Sequence, residues 1–375
     1  MSALGSIVIA GGGTGGHVFP GVAVAEEVRR RNPDARVAFV GTTRGLEARV
    51  IPSLGFPLET IKVSRLKGGG LWDKVKGLFL LPIAIFQSWR ILRRWKPDVV
   101  LGVGGYASGP MLIASWLTWR KTAIQEQNAT PGMTNRWLGK LVKRVLVGFV
   151  GAERHFKAKK TITTGNPIRL ALAERLTAGR RTAEQQSPAA AREGFSVLVF
   201  GGSQGASFLN ERLPPALVAF DARHPGAALR VVHQTGTKEV EATAARYAGT
   251  PLAGRVSVVP FIDDMPRAYA AADVAMCRAG ALTIAELTAV GLPSLLVPFP
   301  FAADNHQEAN ARVLEAAGAA LVQTQATWDE AVVARWLDAV ATDGATRAAM
   351  AKAAASLGRV DATARVVDAL EELAR

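Results

Sequence analysis

The sequence is poor in cysteine and in long apolar runs. One of its 375 residues is a cysteine, Cys277, which has no partner within the chain for a disulfide. This usage excludes a disulfide-rich secreted scaffold and fits a reducing compartment. The most apolar stretch, residues 77–89, contains Pro82 and is shorter than the roughly 20 residues of a membrane-spanning helix. The first residues show no signal peptide, so we expect a soluble, cytoplasmic protein or one that rests on a membrane surface.

Acidic residues are scarce in the first half of the chain. Residues 1–168 contain 25 Lys or Arg and 9 Asp or Glu, a net charge of +16, whereas the remainder carries −2. Most of the excess lies in residues 62–96 and 120–160. A basic half joined to a near-neutral half predicts an anionic partner for one half: nucleic acid, a membrane or a phosphorylated substrate.

Short apolar runs followed by helix-length segments recur along the chain. Most runs are apolar on both faces, which is typical of parallel strands buried between crossover helices. We predict eleven such strands, at residues 7–10, 37–40, 99–103, 122–125, 145–147, 197–200, 229–233, 256–259, 274–277, 294–297 and 320–322. The pattern predicts an α/β fold.

The two halves repeat one pattern, because a strand runs into a glycine-rich turn at Gly11–Gly16 and again at Gly201–Gly205. We therefore predict two tandem Rossmann-like domains that face a central cleft, residues 1–168 and 169–360. Residues 361–375 have helical spacing and are expected to dock back on the first domain. Residues 171–194, rich in Ala, Arg and Gln without clear periodicity, are predicted to form a linker or surface loop.

The glycine turns indicate phosphate-binding loops at strand ends. Gly11, Gly13 and Gly16 match the spacing of a dinucleotide fingerprint, but the second strand ends at Val40–Arg44 without the acid that a ribose requires. Because Arg44 suits a 2′-phosphate, an NADP-dependent oxidoreductase stays open. Glycine turns after several strands favour two phosphorylated ligands, one on each domain.

Seven motifs follow one another along the chain: Gly12-Gly13-Thr14-Gly15-Gly16-His17-Val18-Phe19-Pro20, Gly104-Gly105-Tyr106-x-Ser108-Gly109-Pro110, Glu126-Gln127-Asn128, Gly165-Asn166-Pro167-x-Arg169, Gly201-Gly202-Ser203-Gln204-Gly205-Ala206, Phe261-Ile262-Asp263-Asp264-Met265 and Asp304-x-x-Gln307-x-x-Asn310. In this order they resemble a known family, the lipid II-forming N-acetylglucosaminyltransferases of bacterial peptidoglycan synthesis (the MurG family). The match runs from about Ile7 to Asn310. The chain departs from the family at Gln125, where histidine is frequent.

The resemblance implies the two-domain glycosyltransferase B fold and an inverting transfer of N-acetylglucosamine. The donor is UDP-N-acetylglucosamine and the acceptor is the C4 hydroxyl of undecaprenyl-diphosphate-linked N-acetylmuramoyl-pentapeptide (lipid I). The family binds the UDP-sugar in the second domain and the lipid acceptor in the first, which agrees with the basic first half. It also implies a peripheral location on the cytoplasmic face of the cell membrane, with other cell-wall synthesis proteins as further partners.

The donor residues follow from the same resemblance. Glu286 is expected to bind the ribose, Ile262 to read the uracil through its backbone, and Gln307 to recognise sugar hydroxyls. The free N–H groups at the start of the helix that carries Glu286 suit the diphosphate. The complete set of expected donor contacts is Asn128, Arg169, Ser203, Ile262, Ala281, Leu282, Thr283, Ile284, Ala285, Glu286 and Gln307.

His17 is the first candidate for the base that accepts the proton of the attacking hydroxyl, because imidazole titrates near neutral pH. Glu126 is the alternative base, and binding of the acceptor diphosphate is an alternative role for His17. Thr14, Gly15 and Gly16 of the first glycine loop are expected to bind substrate, and Gly104, Gly105 and Tyr106 of the second motif are expected on the acceptor side. No Asp-x-Asp dyad and no His/Cys cluster at metal-ligand spacing occurs, so we expect metal-independent chemistry without a cofactor, with UDP stabilised by the helix N-terminus and Arg169.

Apolar residues at steps of four, three and three predict one face of a helix: Phe79, Ile83, Phe86 and Trp89. Lys and Arg flank this face, which favours an interfacial helix on an anionic membrane over a core helix with a solvated basic end. Trp116 and Trp119 extend the patch or pack in the core. No recognised nucleic-acid module accompanies the basic residues, so we expect no nucleic-acid partner. A UDP-N-acetylglucosamine epimerase and a non-enzymatic membrane scaffold stay open as alternatives.

Overall fold

The computed structural model describes residues 4–63, 71–183, 194–202 and 204–375, and for residues 71–79 and 177–183 it describes the backbone alone. The chain divides into two compact units, Met1–Leu170 with Asp361–Arg375 (the N-terminal unit) and Ala171–Val360 (the C-terminal unit). The division falls two residues beyond the predicted boundary, so that Arg169 lies in the N-terminal unit.

The described residues of the N-terminal unit form one parallel sheet of seven strands, in the order β3-β2-β1-β4-β5-β6-β7. The strands are β1 (Ser6–Gly11), β2 (Arg36–Gly41), β3 (Leu58–Thr60), β4 (Val99–Gly104), β5 (Lys121–Glu126), β6 (Arg144–Val147) and β7 (Thr161–Thr163). Those of the C-terminal unit form a second parallel sheet of six, in the order β10-β9-β8-β11-β12-β13. They are β8 (Ser196–Phe200), β9 (Arg230–Gln234), β10 (Val256–Val259), β11 (Val274–Cys277), β12 (Ser294–Leu296) and β13 (Ala320–Val322).

Helices connect these strands, as parallel pairing requires. The described α-helices are α1 (Gly15–Arg31), α2 (Glu47–Ser53), α3 (Leu71–Trp95), α4 (Ser108–Leu117), α5 (Met133–Leu141), α6 (Leu170–Ala183), α7 (Ser207–Arg223), α8 (Val240–Tyr247), α9 (Met265–Ala271), α10 (Ala281–Val290), α11 (His306–Ala316), α12 (Glu330–Thr342), α13 (Gly344–Leu357) and α14 (Ala362–Ala374).

The last helix, α14, completes the core of the N-terminal unit. Val366, Val367 and Leu370 are fully buried in the same cluster as the central strands and α1. Polar contacts reinforce the packing, since Arg31 at the end of α1 contacts Asp368 at 2.6 Å. The apolar spacing of residues 361–375 therefore serves burial against the first unit.

All eleven predicted strands are present, and the prediction of an α/β fold with two Rossmann-like domains is confirmed. Two short strands, β3 and β7, were not predicted, because each has three residues at a sheet edge and none of them is fully buried. The prediction of a linker at residues 171–194 is wrong for its first part, where α6 extends to Ala183. Ala, Leu and Arg have high helix propensity, so this segment is helical although it has no marked apolar face.

Candidate active site

The functional loops of the N-terminal unit lie at one edge of its sheet. The strands β1, β4 and β5 are neighbours, and the loops with His17, Tyr106 and Asn128 follow their carboxyl ends. In open parallel sheets this edge is where ligands bind. The fold therefore brings the predicted acceptor-side motifs to one place.

His17 lies in the first turn of α1 and packs against the second motif. A Cβ added at Gly104 would lie 2.6 Å from Cδ2 of His17, and one added at Gly105 would lie 2.3 Å from the carbonyl oxygen of Gly12. The amide of Gly12 donates to the carbonyl of Gly104 at 3.3 Å. Glycine is required at these positions because the two loops approach so closely. Oγ1 of Thr14 lies 3.4 Å from Nδ1 of His17.

The sequence analysis missed a buried carboxylate behind this loop, that of Glu47. Its Oε2 accepts the N–H of Gly13 at 2.7 Å, and its Oε1 accepts the N–H of Thr42 at 2.9 Å and the hydroxyl of Thr42 at 2.8 Å. Glu47 is 2% exposed. Because the N–H of Gly13 is engaged by this carboxylate, it is not free to bind a dinucleotide phosphate.

Glu126, at the end of β5, is 1% exposed. Its Oε1 accepts the backbone N–H of Asn128 at 2.9 Å, and its Oε2 accepts the side-chain amide of Asn135 at 2.8 Å. Burial raises the pKa of Glu126, because desolvation outweighs its hydrogen bonds from Asn128, Asn135 and Gly132. The carboxylate therefore shapes the loop that carries Asn128, and its raised pKa also makes it a stronger proton acceptor.

Gln125, where the chain departs from the family pattern, is fully buried. Its side-chain amide donates to Oδ1 of Asn166 at 2.9 Å, and the amide of Asn166 donates to the carbonyl of Gln127 at 2.7 Å. The departure thus sits in a buried amide network that joins the third and fourth motifs.

Two neighbouring helices of the N-terminal unit expose apolar side chains, and these side chains are called the exposed patch. On α3, Phe86 is 57% exposed, stacks on Trp89 at 5.6 Å between ring centroids and lies near exposed Ile83. On α4, which packs on α3, Trp116 is half exposed, and Trp119, two residues after the end of α4, is 92% exposed. The side chain of Phe79 lies outside the described residues. Exposed Arg90, Arg93 and Arg94 follow the patch along α3. No described helix is long and apolar enough to cross a bilayer.

In the C-terminal unit, α10 begins directly after β11 with Gly280 as its N-cap residue. Glycine has no side chain to cap the first turn, and N–H groups at the start of a helix, here at Ala281, Leu282 and Thr283, suit an anion. Five residues after Ala281, Glu286 is 2% exposed and accepts a hydrogen bond from the hydroxyl of Tyr269 at 2.9 Å. Between them, Ile284 is buried and Ala285 is half-buried.

Gln307 lies in the first turn of α11, beyond β12. Its Oε1 accepts the N–H of Phe299 at 2.9 Å, so the side-chain NH₂ is the part that suits an acceptor atom on a ligand. Before it, Asp304 and Asn305 both adopt left-handed backbone conformations, with φ of 54° and 51°. Such strain concentrates at binding sites. Nearby, Arg278 donates to the carbonyls of Val297 and Pro298, and burial lowers its pKa to about 10.

The second glycine loop is held by neutral side chains. Oε1 of Gln234 accepts the N–H of Gly201 at 3.2 Å, and its amide donates to the carbonyl of Pro260 at 3.1 Å. Gln234 therefore joins this loop to the segment that carries half-buried Ile262. The sequence analysis missed Gln234, although its place directly after a predicted strand is a usable signal. Ser203 lies outside the described residues.

The predicted residues fall into two groups, one on each unit. The N-terminal unit holds His17, Tyr106, Glu126 and Asn128 at its sheet edge and half-buried Arg169 at its end. The C-terminal unit holds Ile262 after β10, residues 281–286 after β11 and Gln307 after β12. Among the described residues, no group of three or more His, Cys, Asp or Glu side chains is placed to hold a metal ion.

Two family models match the chain: the N-terminal domain of glycosyltransferase family 28 over residues 7–147 and its C-terminal domain over residues 196–368. A transferase of Anaeromyxobacter dehalogenans, named UDP-N-acetylglucosamine--N-acetylmuramyl-(pentapeptide) pyrophosphoryl-undecaprenol N-acetylglucosamine transferase, is 48% identical over 98% of this chain and 93% of its own. The chain belongs to glycosyltransferase family 28.

Solved structures agree with this family 28 assignment. Acinetobacter baumannii MurG is 33% identical, with a TM-score of 0.77 over 98% of this chain and 99% of its own. A putative UDP-N-acetylglucosamine 2-epimerase from Listeria monocytogenes shares the fold alone, at 13% identity and a TM-score of 0.68 over 98% and 96% of the two chains. The family 28 chain is thus a glycosyltransferase of the B fold type, and the oxidoreductase alternative is wrong.

Proposed function

We propose that this chain transfers N-acetylglucosamine from UDP-N-acetylglucosamine to the C4 hydroxyl of lipid I, which forms lipid II. The observation that carries the proposal is the 48% identity, over nearly the whole chain, to a transferase named for these substrates. In the reaction, the hydroxyl oxygen attacks C1 of the sugar with inversion. The bond from C1 to the diphosphate breaks, UDP leaves with the electron pair, and a base takes the hydroxyl proton.

His17 is the base in this proposal. Its ring stands in the first turn of α1, half exposed against Gly104, where an acceptor hydroxyl can approach. Glu126 is nearly fully enclosed by its own loop and holds Asn128 in place for the substrates. Because its pKa is raised, Glu126 is the competing candidate for the base. Substitution of His17 and of Glu126, one at a time, distinguishes the two candidates.

The C-terminal unit binds the donor. The diphosphate is bound at the start of α10, where N–H groups and the helix dipole favour negative charge. Glu286, oriented by Tyr269, accepts hydrogen bonds from the ribose hydroxyls. The NH₂ of Gln307 donates to the sugar, because its oxygen is engaged by Phe299. Ile262, Ser203 and Arg169 complete the nucleotide contacts.

The test is transfer of radiolabelled N-acetylglucosamine from its UDP form to a short-chain lipid I analogue, with EDTA present. We expect label in the acceptor product for the wild-type chain. His17→Ala is expected to lose turnover and to keep its affinity for UDP-N-acetylglucosamine. Conversion of the UDP-sugar to its C2 epimer without transfer would replace the proposal with the epimerase alternative.

We also propose that the exposed patch on α3 and near α4 rests on an anionic membrane. Bulky apolar side chains at Phe86 and Trp119 are exposed beside Arg90, Arg93 and Arg94. Insertion of one such aromatic side chain contributes about 2 kcal/mol, and each basic residue near an anionic surface adds about 1 kcal/mol. The enzyme would then meet its lipid acceptor on the cytoplasmic face without a spanning helix.

Co-sedimentation with vesicles of anionic phospholipid tests the membrane proposal. Trp119→Ala is expected to weaken binding about 30-fold, since about 2 kcal/mol of insertion is lost. Phe261→Ala, which removes an exposed aromatic ring from the other unit, is the matched control and is expected to bind vesicles as the wild type does. Equal vesicle binding by the wild type and Trp119→Ala would contradict the proposal that this patch contacts the membrane.

A further inference from the structure

The carboxylate of Glu47 is buried under the first glycine loop with uncharged donors around it. The described hydrogen bonds to it come from the backbone N–H groups of Gly13 and Thr42 and from the hydroxyl of Thr42. That hydroxyl in turn accepts the N–H of Gly45 at 3.1 Å. Burial of a carboxylate without hydrogen bonds is costly, so the position of Glu47 depends on these bonds.

Three glycines leave the space that the side chain of Glu47 occupies. A Cβ added at Gly12, Gly41 or Gly45 would lie 2.3, 2.5 or 2.0 Å from an atom of the Glu47 side chain. All three positions therefore require glycine while Glu47 is in place. Gly12 and Gly13 also have positive φ values, 154° and 93°, which other residues rarely adopt. The loop conformation and the carboxylate thus depend on each other.

The held loop continues directly to His17. The amide of Gly12 donates to Gly104, the carbonyl of Gly12 lies under Gly105, and Gly104 forms the surface against which the His17 ring packs. A shift of Gly12 and Gly13 therefore moves both surfaces that locate the imidazole. No other described side chain donates to or accepts from the backbone of Gly13.

We propose that Glu47 is a positioning residue, which sets the first glycine loop and thereby fixes His17 for the acceptor. The proposal rests on the proposed transfer reaction only for its kinetic consequence. Its structural consequence, the location of the His17 ring, is independent of that reaction.

Glu47→Gln is the sharpest single change. The amide oxygen stays with the two donors of Thr42, so the new NH₂ faces the N–H of Gly13, and two donors repel each other. Gly45→Ala is a second route to the same displacement, because its Cβ overlaps the carboxylate while the charge is kept. Glu27→Gln is the matched control: Glu27 is equally buried, on the same helix as His17, but binds Arg30 and Arg31 at 2.7 Å.

The first readout is the ring resonance of His17 in NMR spectra. The chain has five histidines, and loss of one signal in His17→Ala assigns it. We expect Glu47→Gln and Gly45→Ala to shift the His17 signal and to leave the other four in place, whereas Glu27→Gln shifts none of them. An unmoved His17 signal in Glu47→Gln would overturn the proposal, whether or not the enzyme turns out to transfer sugar.

The second readout is kinetic, measured below the unfolding temperature of every variant. Glu47→Gln is expected to lower kcat about 100-fold with the KM for UDP-N-acetylglucosamine unchanged, because misplacement of a catalytic group by about 1 Å costs about that much. In a His17→Ala background the same change should add little, since the two residues act as one unit. A full additive loss in that background would overturn the proposal, because Glu47 would then act independently of His17. An inactive wild type would instead refute the proposed function.

Discussion

The two glycine loops of the molecule occupy the same place in two similar sheets but are supported differently. The loop after β1 rests on a carboxylate, Glu47, whereas the loop after β8 is held by the neutral amide of Gln234. A buried negative charge opposes a second anion nearby, whereas the neutral amide of Gln234 adds no charge beneath the second loop. The carboxylate of Glu239 lies further on, where it binds Ser207 and Asn210 of α7. The second loop therefore suits a phosphate contact beside the proposed diphosphate site at the start of α10, since β8 and β11 are neighbouring strands. The first suits the placement of a proton acceptor such as His17.

Among the tests of this comparison, His17→Ala is expected to have the largest effect. If the first loop serves proton transfer, kcat should fall about 1000-fold, within the range that general base catalysis contributes. The dissociation constant for UDP-N-acetylglucosamine, measured by calorimetry, should not change. Glu126→Gln tests the alternative base. If the increase of the rate with pH is lost in Glu126→Gln but kept in His17→Ala, Glu126 is the base and His17 is not.

The two units also contain histidines of different exposure: His17 is half exposed, whereas His233 is buried. The pH dependence that His233 gives to the free energy of unfolding is the second largest expected effect. His233 is fully buried between Tyr247 and Asn210, at 3.0 and 3.1 Å, and burial lowers its pKa from 6.5 to about 4. The unfolded chain binds the proton more tightly, so stability is present above pH 6.5 and is lost as the pH falls towards 4. The loss amounts to about 3 kcal/mol.

Urea unfolding of the wild type and of His233→Gln across this pH range measures the effect. The variant is expected to lose the part of the pH dependence that belongs to His233, whatever its stability at neutral pH. Equal slopes for both proteins between pH 4 and 6.5 would show that His233 is not the group responsible.

Glu286→Gln tests the donor side. Loss of charge-assisted hydrogen bonds to the ribose should weaken binding of UDP-N-acetylglucosamine about 30-fold, which corresponds to about 2 kcal/mol. Titration calorimetry with UDP alone detects the change without turnover. Glu330→Gln, at an exposed ion pair of the same unit, provides the control. Unchanged UDP affinity in Glu286→Gln would place the ribose elsewhere.

The smallest effect is expected from Gln234→Leu, the neutral counterpart of the Glu47 variants. It removes two hydrogen bonds, those with the N–H of Gly201 and the carbonyl of Pro260, and so loosens the loop. We expect the KM for UDP-N-acetylglucosamine to rise about tenfold, which corresponds to about 1.4 kcal/mol of donor binding. The KM for the acceptor should stay constant. If the acceptor KM rose instead, the division of labour between the two loops would be wrong.

The sequence predicted the central strands because they are apolar on both faces, a pattern that few other structures share. It did not predict β3 and β7, which are short and partly exposed, or α6, whose Ala-rich and Arg-rich stretch forms a helix through propensity rather than periodicity. These elements depend on weak local preferences and on their neighbours in the sheet.

The candidate site was predictable where side chains follow strand ends in recognisable motifs, as His17, Glu126, Glu286 and Gln307 do. Residues 40–44, at the end of the second strand, contain no acid, and Glu47 follows Arg44 by three residues. Glu47 reaches the glycine loop only because α2 folds back over the end of β2, and sequence spacing does not contain that turn. The same holds for the contact of Tyr269 with Glu286, which joins two helices.

Because α14 packs in the N-terminal unit, this unit cannot complete its core until the end of the chain has been synthesised. The core of the N-terminal unit includes Val366, Val367 and Leu370, which the ribosome reaches only after residues 171–360 have been made. At about 5 to 20 residues per second, the first sheet waits about 10 to 40 s for its final helix. During that interval the face of α1 that α14 covers is open to chaperones. A chain that stops before Asp361 would leave this apolar face exposed to water even when the first sheet is fully synthesised.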